Sequence, residues 1–278
     1  MPLAHSLVTA PSATPARWML FLHGILGSGS NWRSFARQIV AERPDWGAVL
    51  VDLRLHGESL EGFAPPHTVE AAAGDVAELM RQLADRGRAG PVRGVLAHSF
   101  GGKVALALDR RLDGALDHLF VVDSTPSARP DARGSESTRH IVDLLSSLPS
   151  ELPDRDAFLR YVEERGVTRP IAMWLAMNVK PITNTTRYTF RIDVAGVRAL
   201  LDDYFRTDLW GVLEEPPGTV EHHFVVGETS QVVDESDRAR ARACPRMSVD
   251  VIAGAGHWVH VDAPDALRAV VLGHLATH

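Results

Sequence analysis

The sequence predicts an α/β protein, with a mostly parallel, doubly wound sheet interrupted by one inserted helical lid. Three observations carry that expectation. Short continuous apolar runs (RWMLFL, AVLVDL, VRGVL, LFVV) alternate with amphipathic stretches as far as Asp123, the pattern of strands covered on both faces by crossover helices. The alternation stops between 124 and 220, where the pattern turns helical and irregular, then resumes with HHFVV and MSVDVI. Finally, Ala97-His98-Ser99-Phe100-Gly101-Gly102 places a serine where an apolar run turns sharply into a helix. The expected division is therefore 1–123 with 221–278 for the sheet core, and 124–220 for the lid. A chain of 278 residues accommodates one large domain with such an insertion.

In order, 6–10 reads as an edge strand and Arg17–Leu22 as a buried one. The loop His23-Gly24-Ile25-Leu26-Gly27-Ser28 follows, then a helix over 31–42 and a strand over 48–53. The polar run Arg54-Leu55-His56-Gly57-Glu58-Ser59 leads by a loop into a long helix over Val69–Asp85. The elbow strand (92–96) and its helix (103–110) come next, and the strand 119–122 ends at Asp123. Within the lid, amphipathic segments are expected near 141–148, 157–165 and 171–178 after a polar stretch at 128–139. Strands at 222–226 and Met247–Ile252 are each followed by a helix, the last over 263–274. There is no internal repeat and no low-complexity tract.

Composition excludes several classes of function. Apolar residues make up 45% of the chain, ordinary for a full core, and the net charge of −6 offers no footprint for nucleic acid. Cys244 is the single cysteine, so neither a disulfide framework nor a thiolate metal site is expected. No apolar run approaches the ~18 residues of a membrane span. The N-terminal stretch lacks the charged start and apolar block of a secretory signal. A cytoplasmic enzyme is the expectation, with import into an organelle left open, acting as a monomer or small homo-oligomer. Neither cofactor nor metal is expected: HExxH, P-loop and dinucleotide fingerprints are absent. Adjacent residues of a strand face opposite ways, so His222 and His223 cannot chelate one metal from that strand alone.

A serine hydroxyl is a weak nucleophile and needs exposure, a base and a donor for the oxyanion. The strand–Ser99–helix elbow supplies exposure, and the N–H of the next residue, Phe100, points at the developing charge. Ala97 and Gly101 are the small residues such a turn requires. His257, in Gly254-Ala255-Gly256-His257-Trp258, follows the last expected strand on a glycine-flanked loop. It is the candidate general base, and His260 is its nearest competitor.

Taken in this order, HGILGSGSNW, VDLRLHGES, HSFGGKVAL, VVDSTP and Gly-x-Gly-His257 resemble the α/β-hydrolase family. The likeness is greatest to the branch of YbfF-type bacterial esterases and mitochondrial abhydrolases. The resemblance implies a serine nucleophile at Ser99, an oxyanion pocket from the N–H groups of Ile25 and Phe100, and a small ester or thioester substrate. In most of the family the acid follows the strand after the lid in a Gly-Glu-x-Asp pattern, but here Gly227-Glu228-Thr229-Ser230 carries serine in its place. The branch resembled uses the position of Asp123 instead, with Glu228 and Asp234 as alternatives; Asp123 could also simply cap the turn before Ser-Thr-Pro.

Leu26, Trp174, Met177 and Trp258 are the candidate pocket residues. Met173, Tyr188, Phe190, Phe205 and Trp210 either join them or form the lid's own core. His98 is expected to pack beneath the elbow and His23 to fix the oxyanion loop, while Asp52, Arg54 and His56 tie loops together. The leading expectation is a carboxylic-ester hydrolase. A thioesterase, C–C bond hydrolase or lactonase on the same triad, or a non-catalytic ligand receptor, are the alternatives.

Overall fold

The computed structural model describes residues 3–276. Its first elements are strands β1 (His5–Val8) and β2 (Arg17–Leu22), helix α1 (Arg33–Glu42) and strand β3 (Trp46–Val51). Helix α2 (Val69–Asp85), strand β4 (Val92–His98), helix α3 (Phe100–Leu112) and strand β5 (His118–Val122) follow. The segment after β5 holds α4 (Glu136–Ser146), α5 (Arg155–Glu163), α6 (Arg169–Leu175), β6 (Val179–Pro181), β7 (Tyr188–Phe190), α7 (Val194–Arg206) and α8 (Trp210–Glu214). The chain then returns to the sheet with β8 (Glu221–Gly227), α9 (Glu235–Ala243) and β9 (Met247–Ile252), and ends in α10 (Val259–Asp262) and α11 (Pro264–Leu275).

Among the described residues, seven strands form one sheet in the order β1-β3-β2-β4-β5-β8-β9, parallel except for β1 against β3. Alternate strand residues feed two cores. Leu20, Leu22, Val95, Ala97, Leu119 and Val121 pack with α2 and α3, while Met19, Phe21, Leu96, Phe120 and Val122 pack with α1 and α11. Each fully buried Leu, Val or Phe contributes about 1.5–3 kcal/mol over its exposed state, so the strand register is strongly fixed. Helix α2 begins where Thr68 Oγ1 accepts the Ala71 N–H at 3.0 Å. Its buried stripe of Val69, Ala72, Ala73, Val76, Leu79 and Leu83 repeats at helical spacing. Among the described residues, no helix is long and apolar enough to cross a membrane.

The chain lays β3 on one side of β2, then returns to place β4 on the other. The carboxyl ends of β2 and β4 are thus a topological switch point, where open α/β sheets bind ligands. Some bounds differ from expectation. A 3-10 turn, Gly29–Trp32, precedes α1, and β3 ends at Val51 because Asp52 turns away to accept the Gly29 and Glu58 N–H groups. The 124–220 segment is not wholly helical either. Strands β6 and β7 form a small antiparallel ladder, with three residues each, too short to leave a period in the sequence.

Candidate active site

Ser99 occupies the elbow between β4 and α3 at φ 53° and ψ −121°, a left-handed conformation a non-glycine residue adopts only when its surroundings impose it. Its N–H donates to Val122 O at 3.0 Å, and a Cβ on Gly101 would meet the His23 carbonyl oxygen at 2.7 Å. A bare backbone is therefore required where α3 crosses the end of β2. Asp123, ending β5, is also left-handed (φ 45°), and its N–H donates to Val225 O at 2.8 Å. His257 lies on the loop between β9 and α10.

The three side chains meet. His257 Nε2 lies 3.1 Å from Ser99 Oγ, and His257 Nδ1 lies 2.7 Å from Asp123 Oδ2. Asp123 is fully buried. Its carboxylate also accepts the Gly227 N–H at 3.0 Å and the Ser230 hydroxyl at 2.5 Å. An acceptor-only carboxylate at Nδ1 places the imidazole proton there and leaves the Nε2 lone pair for the serine hydroxyl. The alternative acids are engaged elsewhere. Glu228 accepts the Gly254 N–H at 2.8 Å, and Asp234 caps α9 and pairs with Arg129 at 2.9 Å.

Phe100 opens α3, where the first N–H groups of a helix have no partner within it. In the His23–Gly27 loop, the Leu26 N–H donates to His56 Nε2 at 2.9 Å and the Gly27 N–H to Gly24 O at 3.1 Å. These bonds commit the two amides that follow Ile25. His23 braces that loop, as expected. Its Nε2 accepts the Leu53 N–H at 3.0 Å and its Nδ1 donates to Gly24 O at 2.7 Å. Arg54 pairs with Asp75 at 2.6 Å, and His56 Nδ1 donates to Arg54 O.

His98 does more than pack beneath the elbow. Its Nε2 donates to the His257 backbone carbonyl at 2.8 Å, and its ring stands 4.7 Å from His257 and 4.8 Å from His260. Burial pushes His98 well below the ordinary histidine range. Burial likewise lowers His23 and His260 to about 4 and His56 to about 3. These four rings are neutral braces at neutral pH. Nothing in the spacing of His98 or His260 distinguishes them, because the contact is made across chain-distant loops.

A cavity of ≈400 Å³ opens over Ser99 and His257. Leu26, Trp174 and Trp258 line it, together with Ile141, Ile171 and Val232. The Trp174 and Trp258 rings meet edge to face, 4.8 Å apart at 88°, so α6 and the His257 loop build one wall. Among the described residues, no lysine or arginine lines the cavity, and Glu136 is the one carboxylate that does. Met177 lies elsewhere. It is half-exposed, in a 3-10 turn after α6 has ended, and faces a separate cleft with Arg33, Asp52, Lys180 and Arg191. The short α6 presents Ile171 and Trp174, three residues apart, to the cavity, and the turn carries Met177 away. Phe205 and Trp210 are buried in a core that the inserted segment shares with the sheet, α2 and α3, whereas Met173 is exposed.

Known proteins resemble this arrangement. Residues 19–270 match the sequence profile of the alpha/beta hydrolase family. The sn-1-specific diacylglycerol lipase ABHD11 of Mus musculus is 27% identical over 99% of this chain and 86% of its own length. Esterase YbfF of Escherichia coli (strain K12) is 28% identical over 91% of each chain. Among solved structures, a marine microorganism esterase covers 98% of both chains with a TM-score of 0.81 at 22% identity.

Proposed function

Because the chain belongs to the alpha/beta hydrolase family, we propose that it is a serine hydrolase cleaving small, uncharged carboxylic esters through an acyl-enzyme. The observation that carries this reading is the continuous line of hydrogen-bonding atoms from Ser99 Oγ through His257 to Asp123. Ser99 Oγ attacks the ester carbonyl while its proton passes to His257 Nε2. Asp123 holds the tautomer and stabilises the imidazolium. The Ile25 and Phe100 N–H groups take the oxyanion, each such donor being worth about 3–4 kcal/mol in the transition state. His257 returns the proton to the departing alkoxide; a water then gives a proton to His257 as it attacks the acyl–Ser99 carbonyl, and Ser99 Oγ leaves with the proton that His257 gives back, releasing the acid.

The inserted segment acts as a lid whose wall selects the acyl group. The lining mixes apolar side chains with hydroxyl and amide groups and, among the described residues, carries no lysine or arginine, which favours a neutral acyl group over a carboxylate-bearing or phosphate-bearing one. A fluorophosphonate probe should label the native chain and fail to label Ser99→Ala. Native enzyme should turn over p-nitrophenyl esters from acetate to octanoate repeatedly. Labelling with no turnover of any ester in the series would reduce the protein to a reactive-serine receptor.

A further inference from the structure

At the opposite end of the sheet from Ser99, β5 and β8 begin side by side, with His118 paired to Glu221 and Phe120 to His223. Alternation along β8 sends His222 to one face, where its Nε2 meets the buried Asp109 at 2.9 Å. Glu221 and His223 go to the other, beside His118. The neighbouring strand thus supplies the second imidazole that one strand could not. His118 Nδ1 lies 3.1 Å from His223 Nε2 and 3.8 Å from Glu221 Oε2, and the candidate ligand atoms of the three residues all fall within 4.8 Å of one another.

We propose that His118, His223 and Glu221 form a zinc-type divalent cation site that clips β5 to β8. Atoms at these separations surround a point about 2.4 Å or less from each, against about 2.0–2.2 Å for zinc–nitrogen and zinc–oxygen bonds. In a tetrahedral site with such bonds the ligand atoms stand about 3.3–3.6 Å apart, so closure draws the Glu221 carboxylate inward by up to about 1.4 Å from the separations seen here. Two imidazoles and a carboxylate select zinc and its transition-metal neighbours over magnesium or calcium, which prefer all-oxygen sites. The outer contacts orient a ligand. Ser248 Oγ donates to Asp250 Oδ2 at 3.3 Å and accepts from His223 Nδ1 at 3.0 Å. The His223 proton is thereby held on Nδ1, and the Nε2 lone pair is presented to the site. Both histidines are buried, whereas the Glu221 side chain is 39% exposed, which gives a cation a way in from solvent.

The whole 124–220 segment lies between the two strand ends in sequence, so a bound cation closes a long loop of the unfolded chain. The role is structural, and the ester chemistry at the other end of the sheet does not depend on it. The test uses the full chain stripped with EDTA and desalted. One equivalent of zinc chloride should bind in calorimetry at a 1:1 ratio, and an excess should raise Tm by about 5 °C or more. Cobalt(II) should give the visible absorption of a four-coordinate site. Glu221→Gln, at the exposed edge, and Ser248→Ala should each weaken zinc binding about 10–100-fold, and His118→Asn with His223→Asn should abolish it. Circular dichroism and Ser99 labelling report that these variants fold. Absence of stoichiometric zinc binding to the native chain would overturn the proposal, as would binding that persists unchanged in Glu221→Gln and Ser248→Ala.

Discussion

The sheet rim and the inserted segment present side chains to the same cavity, but different forces hold them there. At the rim, main-chain hydrogen bonds between strand ends place Ser99 and Asp123: Ser99 N–H to Val122 O and Asp123 N–H to Val225 O. The inserted segment hangs on buried polar ties. Lys103, fully buried on α3, donates to the carbonyls of Ser127, Tyr204 and Thr207 at 2.9, 2.6 and 2.7 Å. Asp237 accepts the Thr125 and Ser127 hydroxyls and pairs with Arg129. Damage at the rim should therefore remove chemistry from a folded protein. Damage at the ties should loosen the protein and leave the chemistry of the folded fraction nearly intact.

The largest expected effect is at the rim. Asp123→Asn keeps the shape of the carboxylate but cannot accept the His257 Nδ1 proton as an anion does, and turnover should fall about 10⁴-fold with Tm little changed. Glu228→Gln, whose carboxylate only accepts the Gly254 N–H, should stay within a few-fold of native. A reversal of these two results would move the acid to the end of β8.

That contrast also marks what the sequence discloses. The buried strands, the elbow and the glycine-flanked His257 are local signals, since each depends on a run of neighbouring residues. Asp123 needed the resemblance, because one aspartate before Ser-Thr-Pro reads equally as a turn cap. The structure adds what no spacing carries: Ser230, standing where the family pattern puts an acid, donates its hydroxyl to Asp123 at 2.5 Å. Helical periodicity carries Met177 onto the face of Trp174, but α6 stops at Leu175 and the following turn points Met177 to another cleft. Strands β6 and β7 escaped notice because three residues cannot establish a period of two.

Next in size is the acid response of the rim's neutral histidines. His23, His56, His98 and His260 are all lowered by burial, to about 4, about 3, well below the usual range, and about 4 respectively. As pH falls through about 6.5 the unfolded chain takes up protons that the folded chain refuses, so stability drops between about 6.5 and 4. Each ring can contribute up to about 1.4 kcal/mol per pH unit. Urea unfolding at pH 7, 6 and 5 measures the slope. A flat profile would mean that these rings are not the buried neutral braces described.

The ties give the third effect. Lys103→Met keeps the apolar stem, removes an ammonium that burial lowers to about 7, and strands three carbonyls. A net loss of about 2 kcal/mol, near 4–8 °C in Tm, is expected, with kcat of the folded fraction within a few-fold of native. The variant also carries a pH signature. Between pH 7 and 10.5 an unfolded Lys103 stays protonated while the folded one does not, so the native chain gains stability with rising pH relative to Lys103→Met. If the variant proves more stable at pH 6, burying the ammonium costs more than its three bonds return, and the segment must be held chiefly by packing.

The smallest effect separates the two regions within a single residue. Trp174 belongs to the inserted segment, yet its ring meets Trp258, which follows His257 directly in sequence. An edge-to-face pair is worth about 0.5–1.5 kcal/mol beyond burial, and the indole is only partly buried, so Trp174→Ala should cost less than the ~3–5 kcal/mol of a fully buried tryptophan. It enlarges the cavity at the wall that α6 contributes, leaving the elbow residues unchanged, and the ratio of kcat/KM for octanoate over acetate esters should rise about 3–10-fold. Acetate turnover should hold within a few-fold, because the reacting atoms are fixed by the strand ends. An equal loss on every ester would show instead that Trp174 supports the His257 loop through Trp258, and that the division between a rim that reacts and a segment that selects is drawn in the wrong place.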